Sequence, residues 1–394
     1  MNVGMTATLA ATLLAGLSAA PASAQECGGK FSTWLKGAVA EAAASGVGAK
    51  GQKALSRAQP NSKVLRRDRA QGVFTQTFLK FSGRMVSSYR LKNGAANMRK
   101  YKRVFDKARA DYGVPPEVIS AFWALETDFG AVQGDFSTLN ALATLAHDCR
   151  RPHLFRPQFI ALGKLIDEGI VPANVTGAWA GEIGQMQLLP SDYLELGVDG
   201  DGDGRVDLKG SSPDAILTSA RFLNHLGWRA NQPWIEEISV PKNLPWEQTG
   251  REIKLPRSQW AAWGVTYRGG KPLKADNAET SVVLPMGRNG PAFLAYPNYN
   301  IYLEWNQSFV YTLTAAYLAT RLGGAQRYDK RNPDPGLSDA QMKQLQKKLQ
   351  ALGHDVGKID GILGRGTRAA VRAEQLRLGM PADAWPTPKL LSRL

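Results

Sequence analysis

The stretch Val114-Pro115-Pro116-Glu117-Val118-Ile119-Ser120-Ala121-Phe122-Trp123-Ala124-Leu125-Glu126-Thr127-Asp128-Phe129-Gly130 reads as one helix. Proline is tolerated in a first helical turn, and Gly130 is a suitable stop. Ile119, Phe122, Trp123 and Glu126 recur at i, i+3, i+4 and i+7, which puts the Glu126 carboxylate on an apolar stripe. A glutamate is seldom buried without a partner or a purpose. Desolvation disfavours its charged form and raises its pKa. A carboxyl that keeps its proton near neutral pH is suited to general acid work. The helix by itself is equally compatible with a structural glutamate paired to a core arginine. Asp128, at i+2, faces nearly the opposite side and reads as a capping or solvated group.

A second motif follows at Thr176-Gly177-Ala178-Trp179-Ala180-Gly181-Glu182-Ile183-Gly184-Gln185-Met186-Gln187-Leu188-Leu189-Pro190-Ser191-Asp192-Tyr193. Its glycines permit close backbone approach. Gln185 and Gln187 can both donate to and accept from sugar hydroxyl and acetamido groups. Glycosidases mostly use two carboxylates. Asp135 and Glu182 are the remaining candidates for a second one, both on loops. Without such a partner, the nucleophile must come from the substrate itself.

The wider composition narrows the setting. The chain has 394 residues, more than one compact domain usually holds, and its 43% hydrophobic fraction allows a sizeable core. The formal net charge of +15 suits a polyanionic partner, either nucleic acid or an anionic cell wall. Met5 to Ala20 form a weakly apolar run ending in Ala22-Ser23-Ala24, the small-x-small pattern of a signal-peptidase site. No lysine or arginine precedes that run, a departure from the usual pattern. Residues 1–24 are therefore expected to be a signal peptide, with export to the periplasm. Export, and the lack of any nucleic-acid motif, argue against a nucleic-acid partner. Cys27 follows Gln25-Glu26, where a lipid-attachment site wants small residues, so a lipoprotein is not expected. In an oxidising compartment Cys27 and Cys149 can pair. No later stretch is long and apolar enough to span a membrane.

From Lys30 to Leu322 the chain reads as mostly helical with long loops, within a unit drawn at 25–326. Residues 327–336 are polar and Pro-rich, as a linker is. Leu337 to Leu394 then reads as three short helices: a capping box at Ser338 and Gln341, a stop at Gly353, a second helix capped by Thr367, and a last one from Thr387. The run Leu345-Gln346-x-x-Leu349-x-x-Leu352-Gly353, with Asp360-Gly361-x-x-Gly364-x-x-Thr367-x-x-Ala370-Val371, closely resembles the peptidoglycan-binding domain appended to many wall hydrolases. Glu374 departs from the aromatic that family commonly has there.

Ala121 to Gly130, Ala180 to Pro190, Pro297-Asn298-Tyr299 and Trp305-Asn306-Gln307-Ser308 together resemble the lytic murein transglycosylase B family. The resemblance covers most of residues 28–323. It implies a mainly α, lysozyme-like α+β catalytic domain in which Glu126 is the sole acid and base. It further implies cleavage of the bond between N-acetylmuramic acid and N-acetylglucosamine of peptidoglycan, with a 1,6-anhydro product. Gln187 and Asn298, with Gln185 and Tyr193, are expected around the sugars. Two departures stand out: Ala178, where relatives often have serine, and Glu182, in place of a small residue.

Asp199-Gly200-Asp201-Gly202-Asp203-Gly204-Arg205 opens like an EF-hand loop, with carboxylates at alternate positions and glycine at position 6. Arg205 would offer its carbonyl. Position 12 is Gly210, and Asp214 is the expected closing ligand of a lengthened loop over 199–214, as the same resemblance implies. A structural Ca²⁺ is the expected cofactor, with no organic one. The chain is thus expected to act as a monomer on peptidoglycan glycan strands. A hydrolytic muramidase and a non-catalytic wall-binding protein are the alternatives.

Overall fold

A computed structural model describes residues 27–70 and 76–394; the expected signal peptide lies outside the described residues. Pro116–Thr127 is the helix around which the molecule is built. Val118 through Leu125 are all buried, as is Thr127. The expected single apolar stripe is thus a helix apolar on nearly every side, as befits a segment wrapped by others. Glu126 retains partial exposure. The helices Ser88–Lys100, Lys102–Tyr112, Ser212–His225 and Phe309–Leu322 pack around it.

Phe31–Ala44, Ala49–Leu55 and Ser62–Arg69 form an N-terminal layer against Thr138–His147 and Pro152–Asp167. Gly51 lies so close to the Gly163 carbonyl that a Cβ would stand 2.4 Å from it, so a side chain there would push the two helices apart. Cys27 is disulfide-bonded to Cys149, Cα to Cα 5.2 Å, which pins the start of this layer.

The long loops expected between the helices contain strands. A short antiparallel pair joins β1 (Phe136–Ser137) to β2 (Thr176–Gly177). A five-stranded antiparallel sheet is built from β3 (Ile235–Ser239), β4 (Leu255–Pro256), β5 (Thr266–Tyr267), β6 (Glu279–Val283) and β7 (Phe293–Ala295), in the order β4-β6-β7-β3-β5. It has its own core around Trp246, Trp260, Val282 and Leu294. The architecture is helix-rich with a lysozyme-like α+β body, as expected.

The C-terminal helices Asp339–Ala351, Arg365–Arg377 and Pro388–Arg393 enclose a small core of Leu345, Leu349, Val371 and Leu390. The Ser338–Gln341 capping box is present. Thr367 does not cap the second helix. That helix starts two residues earlier, after Gly364, and the buried Thr367 hydroxyl instead receives the Gln346 amide at 3.3 Å. Glu374 is buried where an aromatic was expected, paired to His354 at 2.8 Å and to Arg377. Two hydrogen-bonding partners replace the missing apolar contact.

Residues 327–336 are held along the body of the protein. The Asn332 amide donates to the Asn289 carbonyl at 3.1 Å, and the Tyr328 hydroxyl meets Ser82 Oγ at 2.7 Å. Trp385 Nε1 donates to the Asp334 carbonyl at 3.0 Å, and its ring is buried against the main core. Asp383 accepts the Arg288 amide at 2.9 Å. The helical bundle is docked, and the connecting segment expected to be a linker is bonded along the body.

Candidate active site

Glu126 sits in the last turn of the central helix. Trp305 ends the helix Pro297–Trp305 and stacks on Phe122, one turn before Glu126, with ring centroids 4.2 Å apart. That stacking aims Trp305 Nε1 at Glu126 Oε1, 2.9 Å away. The Tyr311 hydroxyl, from the first turn of Phe309–Leu322, donates to the same oxygen. Oε1 therefore receives two donors, which leaves Oε2 to carry a proton.

The carboxyl is pushed up to about 7, chiefly by burial. The two donors favour the charged form and oppose this shift, while the charge of Glu182 adds to it. Tyr311 is in turn raised, by burial first and then by Glu126, so it remains a donor throughout the ordinary pH range. An acid of this kind, on a partly exposed residue, is poised to give a proton near neutrality and take one back.

The backbone beyond Glu126 is held in an unusual form. Asp128, Phe129 and Gly130 are all left-handed, with φ of 49°, 63° and 87°. For the two residues with side chains, this costs roughly 1–2 kcal/mol each. Arg90 offsets part of it: Nε and Nη2 grip the Asp128 carboxylate at 2.7 and 3.0 Å, and Nε also reaches the Ala124 carbonyl at 3.1 Å. Asp128 is thus a clamp for the helix end, as its position at i+2 suggested. Thr127 Oγ1 donates to the Gln185 carbonyl at 2.6 Å and receives the Gly130 amide at 2.8 Å. These bonds fasten the loop 178–188 beside the acid.

The expected sugar-contacting residues are placed differently from one another. Asn298 is fully buried: its amide nitrogen donates to the Arg229 and Gln232 carbonyls, and its oxygen receives the Arg229 amide. Tyr193 is buried, giving its hydroxyl proton to the Val206 carbonyl and accepting from Leu208. Gln185 is buried between the Lys209 carbonyl and the Ser212 hydroxyl. The polar atoms of these three are engaged inside the protein. Gln187 is only half-buried, in a left-handed conformation (φ 51°), and bonds the Gly184 carbonyl at 2.8 Å through its amide nitrogen. Asp135 is exposed on its loop.

Glu182 lies in the loop beside Glu126, its Oε2 buried without a hydrogen-bond partner. Tyr311, Trp305 and Arg90 were assigned no role from sequence. Trp305 lies in the segment Trp305-Asn306-Gln307-Ser308, but nothing local marks Tyr311 or Arg90 as partners of residues so distant in the chain.

Asp199, Asp201 and Asp203 bring oxygens within 4.8 Å of one another, exposed to solvent. Asp214 is buried apart from this group. Its oxygens take the amides of Gly200 and Asp207 at 2.8 and 2.7 Å, so it braces both ends of the loop. Arg205 donates its amide to Asp203, which leaves its carbonyl unclaimed by that contact. Three convergent carboxylates are a hard-oxygen set of the kind Ca²⁺ takes.

Comparison with known proteins agrees with this architecture. The model of the transglycosylase SLT domain matches residues 30–320, and that of a peptidoglycan binding domain matches residues 338–394. The chain is 29% identical to the membrane-bound lytic murein transglycosylase B of Escherichia coli over 242 residues, 60% of this chain and 64% of that protein. It thus spans a little under two thirds of that curated relative. The crystal structure of SltB3 from Pseudomonas aeruginosa in complex with NAG-anhNAM-pentapeptide superimposes with a TM-score of 0.85 at 36% identity, covering 93% of this chain and 99% of the other. Escherichia coli Slt35 in complex with calcium gives a TM-score of 0.63 at 27% identity, covering 76% and 96%. The chain belongs to the transglycosylase SLT domain family.

Proposed function

We propose that the protein is a lytic transglycosylase of peptidoglycan, with Glu126 as its acid and base. The observation that carries this is the half-buried Glu126 carboxyl, pushed up to about 7 and held through one oxygen by Tyr311 and Trp305. Glu126 gives its Oε2 proton to the glycosidic oxygen as the bond from the muramoyl C1 breaks. The leaving N-acetylglucosamine departs with a 4-hydroxyl. The muramoyl 6-hydroxyl then bonds to C1 and returns its proton to Glu126, so a 1,6-anhydro ring forms and no water is consumed. The anhNAM ligand seen in the Pseudomonas aeruginosa relative has the ending this route would leave. Gln187 is the remaining sequence-derived candidate for sugar contact.

The same reading includes periplasmic action, supported by the apolar N-terminal run and by a disulfide of the kind that persists in oxidising compartments. No described helix is long and apolar enough to cross a membrane. It also includes a structural Ca²⁺ held by Asp199, Asp201 and Asp203, with the Arg205 carbonyl. Its role would be to stiffen a loop that reaches the site through the Gln185 amide, which donates to the Leu208 carbonyl at 2.8 Å. Removing metal with a chelator should lower the melting temperature, with recovery on adding Ca²⁺ and little on adding Mg²⁺. A chelator-insensitive melt rules the ion out.

Mass spectrometry of muropeptides released from purified peptidoglycan tests the main reading, with Glu126→Gln alongside. Anhydromuramoyl ends from the wild type alone are expected. A hydrolytic muramidase draws support from Glu182, whose charge reaches Glu126; it would leave reducing ends. No release by either protein would mean a binding protein without catalysis.

A further inference from the structure

Glu182 has an environment that folding alone does not explain. The loop carrying it is built to hold the side chain in place. The Ala178 amide donates to the Glu182 carbonyl at 3.0 Å, and the chain reverses tightly between Ile183 and Leu188. A Cβ on Gly177 would stand 1.9 Å from the Glu182 carbonyl oxygen, so only glycine permits this approach. Burial raises the Glu182 carboxyl above the usual carboxylate range, and the backbone amides of Glu182 and Ala180 oppose that shift. Its Oε2 is buried and has no partner. The charged groups coupled to it are Arg151, which is already bonded to Asp68, and Glu126. A buried carboxylate oxygen left bare is costly in a protein interior, and such groups concentrate where a ligand completes the set.

We propose that Glu182 is a second catalytic carboxylate, whose bare Oε2 accepts a hydrogen bond from an acetamido N–H or a hydroxyl of the N-acetylated glycan bound over Glu126. This rests on the transglycosylase reading and deepens it. Peptidoglycan sugars are rich in such donors and carry few apolar groups, so the substrate class fits a bare acceptor. The charge of Glu182 serves the acid as well. A negative neighbour makes Glu126 hold its proton more tightly, and the same charge favours the positive character that C1 acquires as the glycosidic bond breaks. Glu182 transfers no proton and forms no bond to carbon, so the products remain anhydromuramoyl ends. Tyr311 and Trp305 act on Glu126 in the opposite sense, and Arg90 is paired with Asp128, two residues beyond it. Removing Glu182 should therefore leave Glu126 with a lower pKa.

The test is the pH profile of kcat/KM for the full mature protein on purified peptidoglycan, comparing wild type, Glu182→Gln and Glu182→Ala. The Glu182→Gln protein is expected to melt near the wild-type temperature. It should lose about ten- to a hundredfold in kcat/KM, the size expected for one hydrogen bond to a charged group, mostly in kcat. Its alkaline limb should shift to lower pH, and its products should still be anhydro. If Glu182→Gln folds poorly, the position of the limb is read from Glu182→Ala. A wild-type rate and limb in the variants overturns the proposal. So does a lower rate with a fallen melting temperature and an unmoved limb, which would mean a structural role only. Reducing ends from wild type, or full activity in Glu126→Gln, would instead overturn the transglycosylase reading, so the two failures are distinct.

Discussion

Glu126 concentrates the electrostatics of the site in one group. Its folded pKa of about 7 lies above the ordinary 4.5, so between those values the folded state holds more protons than the unfolded one. Stability contributed by this residue is then greatest at low pH and falls as pH rises through 7. The span corresponds to roughly 3 kcal/mol at most. Glu126→Gln should therefore raise the melting temperature at pH 8 and change it little at pH 4.5. Thermal unfolding at the two values measures this directly, and an equal effect at both would refute a raised pKa. The acid's position was legible because an i, i+3, i+4, i+7 spacing is local. Its partners were not, because Trp305 and Tyr311 lie 179 and 185 residues away along the chain. Asn298 illustrates the converse: a residue type apt for sugar binding has its three hydrogen bonds inside the fold.

Among the elements, the end of the central helix carries the most consequence. Prolines at the start were a sufficient entry signal. The exit was read as a glycine stop, but the helix ends three residues earlier, at Thr127, in a run of left-handed residues. That run persists because Arg90 bonds both Asp128 and the Ala124 carbonyl. Arg90→Ala should lower stability by about 1–3 kcal/mol, since it leaves a half-buried carboxylate and a carbonyl without their donor. It should also reduce kcat by tenfold or more through misplacement of Glu126, while the pH limb stays where it is. Urea unfolding with steady-state rates would check both; unchanged kcat would mean the acid does not need the clamp. The sheet β4-β6-β7-β3-β5 escaped notice for a related reason. Two of its strands are only two residues long, too short for an alternating pattern to register.

Across the whole molecule, the helical bundle and the catalytic body share a seam. Trp385 packs into the main core and donates to the Asp334 carbonyl, and Asp383 anchors Arg288. Trp385→Ala should cost about 3–5 kcal/mol and split one calorimetric transition into two, as the bundle comes to unfold apart from the body. A single transition at the wild-type temperature would mean the seam carries no load. By itself the order of residues determined the central acid-bearing helix, the capped bundle at the C-terminus and the Asp-Gly loop. Each is specified by periodicity, caps and turn residues within about twenty positions. Only the tertiary structure decided that the polar groups of Asn298, Tyr193 and Gln185 are engaged inside the fold, that Asp214 braces the loop, and that Glu182 Oε2 is buried without a partner. Burial and hydrogen-bond satisfaction are properties of neighbours in space, and a chain does not reveal those neighbours until it has closed on itself.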